Sequence, residues 1–440
     1  MSTKEKTAKK PRGKKALKVL AIVLAVIIAL TAVAAVANTI IVKNNIKLAQ
    51  SFDTVDFQGS QLVPEKDQNG NWVFTTDGDF RVMQLTDIHL GGGFLSVGTD
   101  KRALNAVAAM ILAEKPDLVI ATGDIAYPVP FQAGTANNES GANQFIALME
   151  KLGVYWTVTF GNHDAEAYSY FDRETVSGFY SDPELKYCLY QAGPSDIDGF
   201  GNHTIEVKNT KGIITQAFIM LDSLSYKDDT ILSSLKGDYD NIHQNQVDWY
   251  KSEVQRMNAE NKAVINQLQP GENGGLNKDF GVVKTQCFFH IPLVEAQKAW
   301  YELEKNSFKD TESVKYIDGI IGETGIRVFP GKGEDNLFET MVELGSTKAI
   351  HNGHDHYNNA EFSKDGIIFS YGNSIDYLAY IGIKNEGSQR GCTIITCKPD
   401  TSFTIDKFNY YDGGYYQKGL TNEEVVMQFE DVTYQVPQKD

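Results

Sequence analysis

The sequence predicts an α/β fold, because strand-like and helix-like segments alternate through its first half. Residues 80–85, 117–122 and 154–160 are short apolar runs typical of strands, and residues 100–115 and 141–152 between them have helical spacing. Repetition of this kind is typical of a parallel sheet joined by crossover helices. A polar string follows each of the three strands directly, where open α/β sheets place their ligand sites.

The N-terminal segment predicts a membrane anchor. Residues 19–42 carry no charge and are mostly Ala, Val, Ile and Leu, so a helix there could cross a hydrocarbon core of roughly 30 Å. Eight basic residues precede this segment, so the positive-inside rule places residues 1–18 in the cytoplasm and the rest of the chain outside the cell membrane. The alternative is a cleaved signal, since Ala35-Val36-Ala37 resembles a cleavage site, and the protein would then be secreted.

Five segments are expected along the chain. They are a basic cytoplasmic tail (1–18), a transmembrane anchor (19–42), a stalk with a first hairpin (43–78), the catalytic domain (79–410) and a C-terminal extension (411–440). Asn69-Gly70 predicts the turn of the hairpin.

The second half of the chain predicts more strands and fewer helices. Strands are expected at 215–221 and 284–289, a helix at 244–261, and a second sheet from the alternating runs at 347–352, 366–371, 391–397 and 401–406. We expect residues 165–215 to be an insertion near the mouth of the site. Residues 305–345 are expected to be a long loop, either a functional lid or a disordered excursion.

Charge and cysteine content exclude two classes of protein. The net charge is −16 although the N-terminus is basic, so the rest of the chain repels polyanions and nucleic-acid binding is not expected. Four cysteines do not make a disulfide scaffold. Cys392 and Cys397 lie an odd number of positions apart in one predicted strand and therefore point to opposite faces. Buried free thiols are favoured, and a bridge involving Cys188 or Cys287 is left open.

Five short strings contain the candidate site. They are Asp87-Ile88-His89, Gly123-Asp124, Gly161-Asn162-His163-Asp164, His290 and Gly353-His354-Asp355-His356. Five of the eight histidines fall in these strings, and packing does not explain this concentration because histidine is only intermediate among buried residues. Imidazole donors mixed with oxygen donors suit Fe, Mn, Zn or Ni better than Ca. The strings therefore predict a site for two metal ions.

In this order, the strings resemble the calcineurin-like metallophosphoesterase superfamily, over about residues 78–407. The runs at 288–293 and 371–373 are similar to the branch that contains the plant purple-acid-phosphatase-like proteins and a yeast cell-cycle phosphatase. The resemblance implies a two-sheet β-sandwich flanked by helices, with a dinuclear metal site at the strand ends. It also implies a phosphoesterase that hydrolyses phosphomonoesters by attack of a hydroxide bridging two divalent or mixed-valence ions.

Residue by residue, the resemblance assigns roles within the strings. Asp87, His89 and His356 would bind one metal, Asn162, His290 and His354 the other, and Asp124 would bridge them. His163 would face the substrate as a catalytic residue, and Asp164 would fix its tautomer. Tyr127 matches the tyrosine ligand of purple acid phosphatases, but His89 already completes the first metal, so Tyr127 is not expected to bind it. Asp355 is expected to be structural.

The remaining candidates are expected to be structural too. His203, His243 and His351 are expected at the surface, near a helix cap and inside a strand, and Gly91-Gly92-Gly93 as a flexible turn. Two alternative functions stay open: a phosphodiesterase acting on nucleotides, lipids or envelope polymers, and a non-catalytic surface-binding module. The expected partners are a phosphate-ester substrate and the membrane, and the oligomeric state is not predicted.

Overall fold

The computed structural model describes residues 12–228, 230–268, 278–323, 325–333, 335–380 and 390–410. The predicted C-terminal extension and the first eleven residues of the predicted tail lie outside the described residues.

The helices are α1 (Arg12–Ala49), α2 (Val97–Glu114), α3 (Pro130–Ala133), α4 (Asn138–Leu152), α5 (Arg173–Tyr180), α6 (Ile231–Lys236), α7 (Gln244–Gln267), α8 (Val294–Lys305) and α9 (Leu337–Leu344). The strands are β1 (Glu65–Lys66), β2 (Trp72–Thr75), β3 (Phe80–Leu85), β4 (Leu118–Thr122), β5 (Tyr155–Thr159), β6 (His203–Lys208), β7 (Ile214–Met220), β8 (Thr285–Phe288), β9 (Val314–Asp318), β10 (Thr347–Asn352), β11 (Glu361–Lys364), β12 (Ile367–Tyr371), β13 (Gly391–Cys397) and β14 (Phe403–Asn409). Short 3-10 helices lie at His163–Ala165 and Lys278–Gly281.

The strands form two sheets that pack face to face. The five-stranded sheet has the order β14-β13-β3-β4-β5, and the nine-stranded sheet has the order β1-β2-β6-β7-β8-β10-β12-β11-β9. The two sheets enclose an apolar core to which both contribute, including Val82, Ile120, Phe218 and Phe288. The predicted two-sheet sandwich is therefore confirmed.

Helices cover the outer face of each sheet, because the strands are apolar on both faces. Met83 and Val119 of the five-stranded sheet point outward and pack among α1, α2 and α4. On the other side, the nine-stranded sheet packs against α7, α8 and α9. The predicted mixed α/β fold is confirmed, with four layers in the order helix, sheet, sheet, helix.

The four cysteines are free thiols. Cys392 packs on the helical side of β13 and Cys397 packs between the sheets, as their odd spacing predicts. The bridge left open for Cys188 or Cys287 is not formed in the described structure.

Strand membership differs from the expectation for the C-terminal third. The runs at 347–352 and 366–371 became β10 and β12 of the nine-stranded sheet, but β13 and β14 extend the sheet that begins with β3. β13 pairs antiparallel with β3 over five residue pairs, so the last strands return to the start of the domain. Local alternation predicts a strand but does not reveal its neighbour, and for this reason the prediction of one second sheet was wrong.

Two segments expected to be irregular contain regular elements. The 165–215 segment contributes α5 and β6, and the 305–345 segment contributes β9 and α9. β9 closes the edge of the nine-stranded sheet next to β11. Neither segment is only a loop.

Helix α1 is longer than the apolar segment that predicts it. It continues to Ala49, and from residue 34 onward one of its faces is partly or fully buried against the domain. Asn45 and Ala49 on this face have no exposed surface. Residues 43–49, expected to begin a stalk, are instead a docked part of the helix.

Candidate metal centre

Six of the seven predicted metal donors come together beyond the strand ends of the two sheets. Asp87, Asp124 and Asn162 directly follow the parallel strands β3, β4 and β5, while His290 and His354 follow β8 and β10 of the facing sheet. The ligand atoms of the Asp and His donors form two adjoining groups, and within each group the atoms lie within 4.8 Å of one another. The first ligand group is Asp87, His89, Asp124 and His356, and the second ligand group is Asp124, His290 and His354.

The backbone at the centre is held in unusual conformations. Asp87, His89, Asp124 and His354 all have positive φ angles, between 51° and 74°. A non-glycine residue in this region costs on the order of 1–3 kcal/mol and persists only where the surroundings enforce it. Gly161 leaves no room for a Cβ, which would collide with the carboxylate of Asp124. Packing of the strand ends therefore imposes these donor positions.

Asp124 is the residue that the two ligand groups share. Its Oδ2 atom lies 3.4 Å from Nε2 of His89 and 3.1 Å from Nε2 of His290. Its Oδ1 atom accepts a hydrogen bond of 2.8 Å from the backbone N–H of His163. The atom common to both groups is thus Oδ2, whereas Oδ1 fixes the carboxylate to the next strand end.

Asp376 orients both histidines of the first ligand group. Its carboxylate oxygens lie 3.1 Å from Nδ1 of His89 and 3.0 Å from Nδ1 of His356. With both Nδ1 atoms engaged, the Nε2 atoms point inward, and Nε2 of His356 lies 3.2 Å from Oδ1 of Asp87. Asp376 is itself fixed by backbone N–H groups of Leu378, Ala379 and Tyr380, at 2.7–2.9 Å.

The second ligand group is oriented by neutral partners. Nδ1 of His290 lies 2.8 Å from the backbone carbonyl oxygen of Thr122, so Nε2 faces Asp124. Asn162 donates from Nδ2 to the hydroxyl of Tyr226 at 3.1 Å. The Oδ1 atom of Asn162 is buried and has no hydrogen-bond partner. A buried acceptor left without a donor is costly in a protein interior, and a metal ion would satisfy it.

Carboxylate charge dominates the electrostatics of the centre. Burial disfavours protonation of His89, but Asp376 and Asp124 outweigh it and raise the pKa of His89 to about 9. Burial is likewise outweighed at His290, where Asp124 and Asp87 raise the pKa to about 9. In the metal-free chain, protons compensate the buried carboxylates. Because metal ions bind to deprotonated ligands in place of such protons, the donor set fits a pair of cations.

His163 has a different partner from the one expected. Its Nδ1 atom lies 2.7 Å from Oε1 of Glu166, which also accepts a hydrogen bond of 3.1 Å from Tyr226. Asp164 instead accepts hydrogen bonds from four backbone N–H groups, those of Asp124, Ile125, Ala126 and Gly161, at 2.8–2.9 Å. The prediction that Asp164 fixes the tautomer of His163 was wrong, because the turn after β5 directs that carboxylate into the backbone.

Tyr127 packs against the centre. Its ring lies 4.8 Å from the ring of His89 and 4.7 Å from that of His163, and its hydroxyl donates to Gln132 at 3.0 Å. Burial raises the pKa of Tyr127, so the phenol stays neutral. This geometry agrees with the expectation that Tyr127 is not a ligand.

The other structural candidates are mostly where the sequence predicts them. His243 caps α7, and His351 is buried in β10. His203, expected at the surface, is buried in β6, where its Nε2 atom lies 2.8 Å from the hydroxyl of Thr157. Asp355 accepts a hydrogen bond of 2.7 Å from the hydroxyl of Tyr371, consistent with a structural role.

The glycine run after His89 is rigidly packed. A Cβ on any of Gly91, Gly92 or Gly93 would collide with neighbouring atoms. The N–H groups of Gly91 and Gly92 donate to the buried carboxylate of Asp100, both at 2.9 Å. The flexible turn expected there is therefore a fixed loop.

Sequence reasoning missed Asp376 and Glu166. Asp376 lies five residues past the end of β12, so its position near a strand end was the available signal. Glu166 lies two residues after Asp164 in the same turn, and no spacing rule separates these two carboxylates.

Comparisons with known proteins place this geometry in a family. The family model described as calcineurin-like phosphoesterase matches residues 80–358. Probable inactive purple acid phosphatase 29 of Arabidopsis thaliana is 28% identical over 72% of this chain and 77% of its own length. Its relative, probable inactive purple acid phosphatase 28, is 24% identical over 70% of this chain and 73% of its own length.

Two further proteins are similar over a large part of the chain. Phosphatase DCR2 of Saccharomyces cerevisiae is 25% identical over 64% of this chain and 45% of its own length. The crystal structure of a dimetal phosphatase from Danio rerio covers 76% of this chain and 97% of its own, with a TM-score of 0.45 and 10% identity. Since the family model spans more than half of the sequence, the chain belongs to the calcineurin-like phosphoesterases and is a hydrolase that acts on phosphoric ester bonds.

Proposed function

We propose that the protein is a membrane-anchored phosphomonoesterase that works outside the cytoplasmic membrane with two metal ions. The observation that carries the proposal is the meeting of two ligand groups at Oδ2 of Asp124. A shared carboxylate is the arrangement that two-metal hydrolases use to hold their ions side by side.

We assign the donors in two sets. Asp87, His89 and His356 would hold one ion, and Asn162, His290 and His354 the other, with Asp124 common to both. Imidazole and oxygen donors together suit Fe, Mn, Zn or Ni. When bound, such ions supply Lewis-acid activation of a water molecule and neutralise charge on the phosphoryl group.

His163 is the proposed proton donor to the leaving oxygen. The side chain of His163 is 23% exposed, whereas those of His290 and His356 are 0% and 3% exposed. Glu166 holds Nδ1, so Nε2 is the nitrogen that remains for the substrate. Asp164 binds the backbone N–H groups of residues 124–126 and of Gly161, and thereby supports the catalytic geometry without contacting the substrate.

The names of the similar proteins support hydrolysis of phosphomonoesters. The names of these relatives contain the word phosphatase, although the names of the two Arabidopsis relatives also call them probably inactive. In this chain, six Asp and His donors lie in two adjoining groups, and Asn162, the seventh proposed donor, has a buried oxygen without a hydrogen-bond partner. The complete donor set supports an active enzyme over a binding module.

The N-terminal helix supports the proposed location. The segment Lys15–Ala49 is long and apolar enough to cross a membrane, with a mean hydropathy of 3.1 in its most apolar window. A signal sequence would satisfy the same test. We propose the uncleaved anchor, with residues 1–18 cytoplasmic and the domain at 79–410 on the other side.

An assay on two model substrates tests the function. Full-length protein in detergent, loaded with Mn²⁺ or Fe²⁺, should hydrolyse p-nitrophenyl phosphate faster than bis(p-nitrophenyl) phosphate, and chelation should abolish both activities. Preference for the bis ester would make the enzyme a phosphodiesterase. No turnover of either ester with either metal, in protein shown to contain two ions, would overturn the enzymatic proposal.

A further inference from the structure

The exposed and uncharged part of helix α1, which follows Lys18, is too short to cross a bilayer alone. Residues 19–33 have exposed side chains, and burial of one helix face against the domain begins at residue 34. Fifteen residues of helix span about 22 Å, whereas the hydrocarbon core is about 30 Å thick and needs roughly 20 residues. A helix that spans the membrane must therefore place residues up to about 38 in the apolar layer. The parts of the domain that pack against residues 34–38 must then lie at the same depth.

Two loops of the catalytic domain pack on the helix at that level. The Oδ1 atom of Asn38 accepts a hydrogen bond of 2.8 Å from the backbone N–H of Phe94, and its Nδ2 atom donates to the carbonyl oxygen of Gly134 at 3.1 Å. The loops also bind each other, since the N–H of Leu95 donates to the carbonyl oxygen of Ala133 at 3.1 Å. Asn38 is thus satisfied by the domain and needs no water.

These loops are uncharged and present large apolar side chains outward. Residues 90–99 and 125–138, here called the uncharged loops, contain no Asp, Glu, Lys, Arg or His. Phe131 is 93% exposed, Leu95 53% and Phe94 43%. Large apolar side chains clustered on a surface without charge mark an interaction site.

The uncharged loops also form a wall of the metal centre. One loop begins directly after His89, and the other contains Tyr127, whose ring packs against His89 and His163. Gln132, the neighbour of Phe131, accepts a hydrogen bond from the hydroxyl of Tyr127. Phe131 is therefore adjacent in the chain to a residue that contacts the wall of the metal centre.

We propose that Phe94, Leu95 and Phe131 insert into the outer-leaflet interface beside α1, so that the catalytic domain sits on the membrane with its metal centre at the lipid surface. This inference rests on the proposed uncleaved anchor. We choose lipid as the partner of this surface because it is continuous with the apolar helix. The hydrocarbon layer that holds residues 19–38 must also extend over the loops that bind Asn38. Apolar side chains at such an interface are buried by about 5–10 Å.

Lipid-borne quenchers test the proposal. Full-length variants with one added cysteine, Phe131→Cys or Leu95→Cys, are labelled with an environment-sensitive NBD fluorophore and reconstituted in phosphatidylcholine–phosphatidylglycerol vesicles. Unsubstituted protein sets the labelling background of the native thiols, which are buried or half-buried. Lipids with a doxyl quencher near the headgroup should lower emission by about twofold at both positions, the effect expected for insertion to this depth.

Two control positions separate the explanations. Val342→Cys places the fluorophore at another exposed apolar residue, on α9 of the opposite helical layer, where quenching should be absent. Ile28→Cys, in the exposed part of α1, lies near the middle of the 19–38 segment and should be quenched strongly by lipids that carry the doxyl group near the end of the acyl chain. Quenching at residue 28 but not at 131 or 95 would overturn the lipid contact and leave the anchor intact.

Two other outcomes also overturn the proposal. Absence of residue 28 from the mature protein, or no quenching there, would show that the anchor proposal itself fails. Shielding of residue 131 that grows with protein density and is insensitive to the lipid quencher would assign the surface to a second copy of this chain.

Discussion

The two ligand groups of the centre differ in the charge of the partners that orient their donor side chains. Asp376 lies behind both His89 and His356 of the first ligand group, so a carboxylate supports each imidazole. Behind the second ligand group are the carbonyl of Thr122 and the hydroxyl of Tyr226, which are neutral. The first group also has its own carboxylate, Asp87, while Asn162, the donor proposed to complete the second, is uncharged.

Such a difference would let one site hold two ions with unequal affinity. Carboxylates behind imidazoles raise their basicity and strengthen metal binding, whereas neutral partners fix only the orientation. We therefore expect the first ligand group to bind its ion more tightly than the second.

Removal of the shared donor should abolish the distinction between the groups. In Asp124→Asn, one oxygen still accepts the N–H of His163, so the fold should survive, but the charge common to both ions is lost. We expect kcat/KM to fall by about 10³-fold or more and both metals to be poorly retained. Elemental analysis and thermal unfolding check this result, and retention of two tightly bound ions would contradict it.

His163 should matter to turnover and not to either metal. In His163→Ala, kcat should fall by about 10²–10⁴-fold while KM changes little, because a general acid acts mainly in the transition state. Metal content should remain two per chain. Loss of an ion would show that His163 is a ligand and that the grouping above is wrong.

Asp376 should affect only one of the two groups. In Asp376→Asn, the affinity of the first ligand group should fall by about 10–100-fold, with the second unchanged. The matched control is Asp355→Asn, since Asp355 lies between two ligands but bonds to Tyr371. Titration of metal-free protein with Mn²⁺ measures the two affinities separately, and equal weakening of both would refute the asymmetry.

The groups should also differ in how pH affects metal binding. In metal-free protein, the pKa of His89 is raised to about 9 and that of His356 lies well above its usual range, both because buried carboxylates outweigh desolvation. In the second group, the pKa of His290 is raised to about 9, but burial and the charge of His290 hold the pKa of His354 well below its usual value. The first ion must therefore displace two protons and the second ion one.

The sign of the effect follows from these directions. The added protons stabilise the metal-free fold below about pH 6.5, and this stabilisation is lost as pH rises through about 9. Metal affinity should accordingly rise with pH, by about a hundredfold per unit for the first group and about tenfold for the second. Calorimetry in buffers of different ionisation enthalpy counts the released protons, and equal counts would contradict the comparison.

Tyr127 should give the smallest effect. Its hydroxyl points to Gln132, so Tyr127→Phe should keep both metals and change kcat by less than about tenfold. An Fe-loaded wild-type protein should show no tyrosinate charge-transfer colour. Such colour, or loss of the first ion in the variant, would add a ligand to the first group.

Local sequence patterns predicted the strand ends well and the strand neighbours poorly. β3 matches its predicted bounds, and β4, β5 and β8 begin or end within one residue of the prediction. β13 was also predicted as a strand, but its pairing with β3 joins positions about 310 residues apart, and alternation carries no information about a partner.

The sequence alone was enough to predict the apolar helix and the six Asp and His side chains that form the two ligand groups. Ligand chemistry depends on residue type, and the hydrophobic pattern marks the strand ends that these residues follow. Only the tertiary structure decided that Asp376 supports both histidines of one group and that Glu166, not Asp164, meets His163. It alone also showed that α1 lies against the domain. Each of these contacts depends on side-chain direction across a folded turn or between distant segments, which neighbouring residues in the sequence do not specify.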